Sequence, residues 1–476
     1  MANRVRLALA LALVLLAGAS GATAATAPAA RSGAKRTHGS RRRSKPPPSQ
    51  VSLAPSAAGV GVPVTMAPVG LSLEYPIMAE DLGSGPCPPP ALVAQLQQLG
   101  SPPLSLEGDS QDLTVPSGVL SGAPQSWEAA TLYTLPVNFW NQLHCLLSAS
   151  KDPLTVGVNA RTGALSWAQQ MVAGANSAAT NGLDFAVGNE PDLYPLPNYA
   201  ALDHPQAEEE ALAVDTYLEV AAQLQPALGA APTIGPELAG PAHWRRQVPR
   251  VISQLHLQTV GVHMYPLSSC VTPRAVTVRG LLSSLAGKEP HNLAWVVADA
   301  SAAGVPAIVS EANSSSCGGV AGVSDSPASA VWAVRFVLSA LLTGLREVRF
   351  HFSGGPYDPF VVSGEQVLTR PLDSALVALN RWLPVGASLH ALAGVRGLVA
   401  TSVREPTGTG MVILDNESGR RQRVVVRGAA AVTVQTLSAA RDGLATSELH
   451  SARERVELTV AANSVVAVSP ASSPAP

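Results

Sequence analysis

The sequence predicts a (β/α)8 TIM barrel followed by a C-terminal antiparallel β-sandwich, on three observations. Between residues 71 and 384, eight short apolar segments alternate with helix-patterned stretches. Two of those segments, 184–187 and 306–309, are followed within three residues by a glutamate. After about residue 385 the texture changes to short alternating segments separated by Gly, Pro and Asn/Asp turns. Alternating strand and helix patterns give a parallel sheet wrapped by helices, and eight strands are what a closed barrel requires.

The chain opens with material outside that fold. Arg4 and Arg6 precede an apolar run from Leu7 to Ala17, and Ala22-Thr23-Ala24 follows as a small-residue cleavage site. Residues 1–25 therefore read as a secretory signal peptide. An uncleaved membrane anchor is the alternative, against which the run falls short of the roughly 20 residues a spanning helix needs. No later segment reads as a transmembrane span, so a secreted or extracytoplasmic protein is expected. Residues 26–50 are rich in Pro, Ser and basic residues, with Arg41-Arg42-Arg43 and Pro46-Pro47-Pro48. That composition makes a disordered linker, either a solvated tail or a weak contact for an anionic cell surface.

Residues 1–50 carry 9 of the 31 Lys+Arg and none of the 33 Asp+Glu, which leaves 22 basic against 33 acidic residues, a formal net charge of −11 for the rest. An acidic body argues against nucleic acid and long sulfated polysaccharides as partners.

The barrel strands are expected, in order, at residues 71–74, 104–106, 155–158, 184–187, 233–235, 260–263, 307–309 and 348–352. Ala-, Leu- and Gln-rich stretches with helical periodicity lie between them, at 91–99, 164–178, 208–224 and 328–342. Glu208-Glu209-Glu210 begins one helix, where the positive end of the helix dipole favours acidic residues. The sandwich, 385–470, is expected from segments at 397–403, 410–415, 421–426, 431–436, 455–460 and 464–468. Residues 51–70 add strands to it, and 471–476 form a fraying tail.

Four cysteines with an export signal favour two disulfides, with four buried free thiols as the alternative. Cys270 and Cys317 lie just beyond strands six and seven, neighbours in a barrel, which pairs them and leaves Cys87 with Cys145.

The two glutamates carry the chemistry. Glu190 lies in Gly188-Asn189-Glu190-Pro191-Asp192 and Glu311 in Val309-Ser310-Glu311-Ala312-Asn313, each just past a strand and so on the active face of a barrel. Paired carboxylates there suit glycoside hydrolysis, one protonating the leaving oxygen and one attacking or activating water. That chemistry calls for no metal or cofactor. His263 and His351 read as barrel histidines satisfied by the fold, and Gly354-Gly355-Pro356 as a turn.

The stretches Leu71-Ser72-Leu73-Glu74-Tyr75-Pro76, Gly188 to Asp192, Val262-His263-Met264-Tyr265-Pro266-Leu267 and Glu311 to Asp325, the last with Gly318-Gly319, together resemble glycoside hydrolase family 79 over roughly residues 51–470. That family comprises β-glucuronidases and heparanases built as a clan A barrel with a C-terminal β-sandwich. The resemblance implies a retaining enzyme with Glu190 as acid/base and Glu311 as nucleophile. It implies further that Asn189 binds the sugar 2-OH, that Glu74 and Asp109 hold sugar hydroxyls, and that Gly318, Gly319 and Tyr357 meet a uronate carboxylate. Tyr265 is placed to donate to Glu311. One departure stands out: where the family shows Arg-x-Gly-Gly on strand two, this chain has Ser105-Leu106-Glu107-Gly108. Two function classes follow, an exo-acting β-glucuronidase-like or neutral-sugar glycosidase, and a catalytically weakened carbohydrate-binding cell-surface protein of the same fold.

Overall fold

In a computed structural model of the chain, residues 48–53, 61–118, 132–194, 207–240, 242–393, 395 and 397–471 are described. The expected signal peptide and most of the linker lie outside these residues, as does all but the first residue of the tail.

Eight parallel strands close into a barrel. In chain order they are β1 (Val69–Glu74), β2 (Leu104–Glu107), β3 (Leu154–Val158), β4 (Leu183–Val187), β5 (Thr233–Leu238), β6 (Thr259–Met264), β7 (Ala307–Ala312) and β8 (Val348–Phe352). β8 pairs with β1 from Val348 opposite Val69 to Phe352 opposite Leu73, which completes the ring. Each strand was legible as an apolar run because a barrel strand is buried on both faces, by the lumen and by the helices outside. Those helices include Pro90–Gln98, Phe139–Ser150, Leu165–Ala178, Ala207–Leu228 and Pro327–Thr343. Gly344, with φ 109°, ends the last of these in the left-handed conformation that glycine adopts freely.

The C-terminal strands form two sheets. Seven strands lie in one sheet in the spatial order Val62–Pro63, Ser388–Leu392, Val399–Arg404, Gly410–Asn416, Ser464–Pro470, Ala431–Ser438 and Arg441–His450. The other holds Ser49–Ser52, Gln422–Arg427 and Arg455–Val460. Ser49–Ser52 pairs parallel with Gln422–Arg427, so this strand begins inside the stretch expected to be linker. Ser388–Leu392 and Arg441–His450 were not expected from the sequence; the latter is a largely exposed edge strand whose polar residues hide its periodicity.

The larger sheet is buried on both faces. Val412, Leu414, Val466 and Val468 pack between the two sheets, while Met411, Ile413, Val465 and Ala467 face the helices and join the barrel's core. Helix Pro327–Thr343 is thereby enclosed, buried at every residue from Ala328 to Leu341. Arg335, on this helix, donates from Nε to Asp415 at 2.9 Å, and that buried ion pair ties barrel to sandwich.

Both expected disulfides are formed, Cys87–Cys145 with a Cα separation of 5.5 Å and Cys270–Cys317 with 6.1 Å. Among the described residues no helix is long and apolar enough to cross a membrane.

Candidate active site

Glu190, just past the end of β4, and Glu311, near the end of β7, come together at the C-terminal mouth of the barrel. One oxygen of each, together with a ring nitrogen of His263, all lie within 4.8 Å of one another. The Glu190 backbone is left-handed, φ 47°, and its N–H donates to the Glu237 carbonyl at 2.9 Å. That conformation turns the side chain out of the strand direction and into the mouth.

His263 is the hub of the site. Its Nδ1 lies 3.0 Å from Glu190 Oε1 and 3.6 Å from Glu311 Oε1, and its Nε2 lies 3.2 Å from Glu237 Oε2. Burial of the ring opposes protonation, but Glu311, Glu190 and Glu237 overcome it and hold the imidazole well above its ordinary pKa. An imidazolium donates from both nitrogens, as two flanking carboxylates require. His263 is thus satisfied by the fold, as expected of a barrel histidine, and it also lies against both candidate catalytic carboxylates. A signal was present: His263 and Tyr265 are two residues apart on a strand end and so share a face.

The two glutamates are driven apart in acidity. Burial raises Glu190, helped by Glu311 and opposed by His263. Burial acts the same way on Glu311 but is outweighed by His263, His351 and a hydrogen bond from Tyr265, so its carboxyl falls below the usual range. Tyr265 donates to Glu311 Oε1 at 2.6 Å, and His351 Nδ1 lies 3.4 Å from Oε2. His351 also reaches Glu74 at 3.3 Å, and with Glu311, Glu74 and Asp109 around it its pKa rises to about 9 despite burial. It too belongs to the site rather than to the barrel's packing alone. Gly108 allows this, because a Cβ there would come within 2.6 Å of both Glu74 Oε1 and the His351 ring.

The remaining expected residues fall around this centre. Glu74 accepts the N–H groups of Asp109 and Ser110 at 3.1 and 2.7 Å, so its oxygens are engaged with the chain itself. Asp109 is exposed in the cleft. Asn189 is buried, and its Oδ1 has no hydrogen-bond partner among the described residues. Tyr357 packs edge-on to His351 with ring centroids 6.0 Å apart. Gly319 touches Tyr357 so closely that a Cβ would lie 3.0 Å from its ring, and Gly318 and Gly319 take φ of 82° and 79°. Within the described residues no backbone hydrogen bond uses the N–H of either glycine.

The strand-two departure has a structural counterpart. Arg349 of β8 crosses the lumen, where Gly70 leaves it room, and donates to Ser105 Oγ at 2.6 Å and Thr155 Oγ1 at 2.9 Å. It contacts no oxygen of Glu311, whose partners are Tyr265, His263 and His351.

Glu190, His263 and Glu311 are also the one set of His, Cys, Asp and Glu among the described residues close enough to share an ion. The fit is poor, because both nitrogens of His263 already face carboxylates and a cationic ring has no lone pair to give.

No protein-family model and no curated protein sequence matches the chain. Solved structures do. A 4-O-α-L-rhamnosyl-β-D-glucuronidase from Fusarium oxysporum 12S superposes with a TM-score of 0.65 at 19% identity, over 88% of this chain and 100% of that one. A GH51 arabinofuranosidase from Xanthomonas axonopodis pv. citri gives 0.60 at 14% identity, over 86% and 97%. The catalytic domain of GH30 xylanase C from Talaromyces cellulolyticus gives 0.55 at 12%, over 89% and 100%. At these identities the likeness is one of fold, and the chain is a TIM barrel with an appended β-sandwich on the plan these glycoside hydrolases share.

Proposed function

We propose that the protein is a secreted retaining glycoside hydrolase, with Glu311 as nucleophile and Glu190 as acid/base. The observation that carries this is the pair of carboxylates at the ends of β4 and β7, oxygens within 4.8 Å, with acidities shifted in opposite directions. A short separation suits a retaining mechanism, in which the carboxyls lie about 5–5.5 Å apart, rather than an inverting one that must fit a water between them. Glu311 attacks the anomeric carbon while Glu190 protonates the departing oxygen, which breaks the glycosidic bond and leaves a glycosyl ester on Glu311. Glu190, now ionised, takes a proton from water as that water attacks the anomeric carbon and frees Glu311. Asn189, with an unpartnered buried Oδ1, accepts from the sugar 2-OH.

The preferred sugar, in this reading, is a β-glucuronide released from a chain end. Its support is local: the N–H groups of Gly318 and Gly319 are free to approach an anion, and Tyr357 stands beside them. The glucuronidase from Fusarium oxysporum 12S shares the fold. A neutral sugar is favoured instead by one observation, Asp109 on the active face, whose pKa desolvation, Glu74, Glu190 and Glu311 raise to about 7 and which repels a uronate once ionised. The ratio of kcat/KM for an aryl β-glucuronide over the matching β-glucoside and β-xyloside decides, and a ratio at or below one sinks the uronate reading. A 2-deoxy-2-fluoro glycoside should label the peptide containing Glu311; labelling elsewhere removes the nucleophile assignment. Binding of sugars without turnover of any of them would leave the carbohydrate-binding reading in its place.

A further inference from the structure

The barrel's ladders slip on either side of β6, at the same height. Between β5 and β6 the pairing passes from Gly261 opposite Pro236 to Val262 opposite Leu238. Between β6 and β7 it passes from Val262 opposite Val309 to His263 opposite Glu311. The extra residues are Glu237 and Ser310, and a bulge re-aims the side chain it carries. Here both are aimed at one point beneath His263. The Ser310 hydroxyl donates to Glu237 Oε2, and His263 Nε2 faces the same oxygen at 3.2 Å. Gly261 makes the space, since a Cβ there would overlap the Glu237 carboxylate.

This arrangement is costly. Glu237 is 1% exposed, its Oε1 has no hydrogen-bond partner among the described residues, and its backbone is left-handed at φ 56°. A buried carboxylate and a left-handed glutamate each cost stability. What they achieve together is a hold on Glu190 from two directions, through the carbonyl that accepts its N–H at 2.9 Å and through the imidazole that faces its carboxylate at 3.0 Å.

We propose that Glu237 is the positioning residue of the acid/base: its carboxylate holds His263 Nε2 so that Nδ1 faces Glu190, and its carbonyl fixes the Glu190 backbone. The inference deepens the hydrolase reading and rests on it. The groups that face Glu237 and His263 are Glu107 on β2, Glu190 on β4, Glu311 and Ser310 on β7, Arg349 on β8 and Tyr217 on helix Ala207–Leu228. Removing a negative charge from this set makes proton loss easier, whichever of Glu190 and His263 holds the proton. In Glu237→Gln the alkaline limb of kcat/KM therefore moves to lower pH.

The experiment compares the full-length protein with Glu237→Gln. On an alkyl glycoside of the preferred sugar, kcat/KM should fall by roughly ten- to a hundredfold, part of the 10²–10⁴ that general acid–base catalysis supplies; on the 2,4-dinitrophenyl glycoside, whose leaving group needs no proton, by less than about threefold. A purely structural defect lowers both alike. Nitrogen-15 NMR of the histidines, with His263 assigned by its own replacement, should show a doubly protonated ring in the unmutated protein at pH 7 and a lower titration point in the variant. Equal losses on both substrates with an unmoved alkaline limb overturn the proposal, and so does a neutral His263 at pH 7 in the unmutated protein, a result that does not depend on the variant folding. Failure of the unmutated protein to cleave any glycoside defeats the hydrolase reading separately; the NMR comparison then still decides whether Glu237 holds His263.

Discussion

The two sheets of the sandwich meet over valine, leucine and alanine, from Val51 to Val468. The mouth of the barrel, by contrast, encloses Glu107, Glu237, His263, Glu311, Arg349 and His351, none more than 5% exposed. Both regions belong to one chain and both are closed by apolar packing, yet only one buries charge in quantity. Each buried ion costs several kcal/mol unless its partners repay the lost hydration, and aliphatic side chains fill such a space more stably. The sandwich shows what this chain builds when stability alone decides. The barrel mouth shows where stability is given up for groups that can exchange protons, as functional sites commonly require.

The largest effect should come from the proposed nucleophile. Glu311→Gln is expected to lower kcat/KM on every substrate by about four orders of magnitude or more, since no covalent intermediate can form. Its thermal midpoint at pH 7 should fall, because His263 and His351 lose the carboxylate that offsets their burial. An unchanged midpoint would mean that the buried charges of the barrel mouth do not depend on one another.

Glu190→Ala should cost about 10²–10⁴ on unactivated glycosides and little in the first step on 2,4-dinitrophenyl ones, with azide restoring turnover in place of water. Equal loss on both with no response to azide would remove Glu190 from the acid/base role. The opposite pattern is expected from the sandwich. Leu414, fully buried between the sheets, should cost about 2–5 kcal/mol of stability as Leu414→Ala and leave kcat/KM unchanged below the melting transition.

The pH dependence of stability sharpens the comparison further. His351 is raised from 6.5 to about 9, so its stabilisation is complete below pH 6.5 and is lost as pH rises through 9. Glu107 is raised from 4.5 to about 8, chiefly by burial and then by Glu237. Between those values the folded chain keeps a proton that the unfolded chain has released, so here too stability falls as pH rises. Melting should occur several degrees higher at pH 5 than at pH 9, and Glu107→Gln should flatten the profile between 5 and 8. A flat profile in the unmutated protein would mean the barrel's charges are matched as well in the unfolded chain.

The smallest effect concerns the rim. Cys317 immediately precedes Gly318, and its loop is also held by a hydrogen bond from Ser316 N to the Leu267 carbonyl at 2.9 Å. Replacing Cys270 and Cys317 together by Ser should raise KM for a glucuronide a few-fold with kcat nearly constant. An unchanged KM would detach the glycine pair from substrate binding.

What the sequence by itself determined is whatever depends on near neighbours along the chain. Eight apolar runs of strand length, each bounded by helix-patterned stretches, specify the barrel; β8 was read to the residue, and the others differ mainly at their ends. Glu190 and Glu311 stand out because each follows such a run within three residues. The cysteine pairing follows from strands six and seven being neighbours in a barrel. What only the tertiary structure decided is how adjacent ladders slip against each other. Glu237 follows a short apolar segment just as Glu190 does, but the strand continues through Pro236-Glu237-Leu238, where proline and a charged residue break the apolar pattern. Its inward aim, like that of Ser310, comes from bulges against β6 that no local pattern encodes. His263 and Arg349 gained their roles in the same way, from partners such as Glu237, 26 residues from His263, and Ser105, 244 residues from Arg349. Hydrophobic period fixes which face of a strand is buried, whereas the charge state of a buried group depends on which other charges the closed barrel brings within a few ångströms of it.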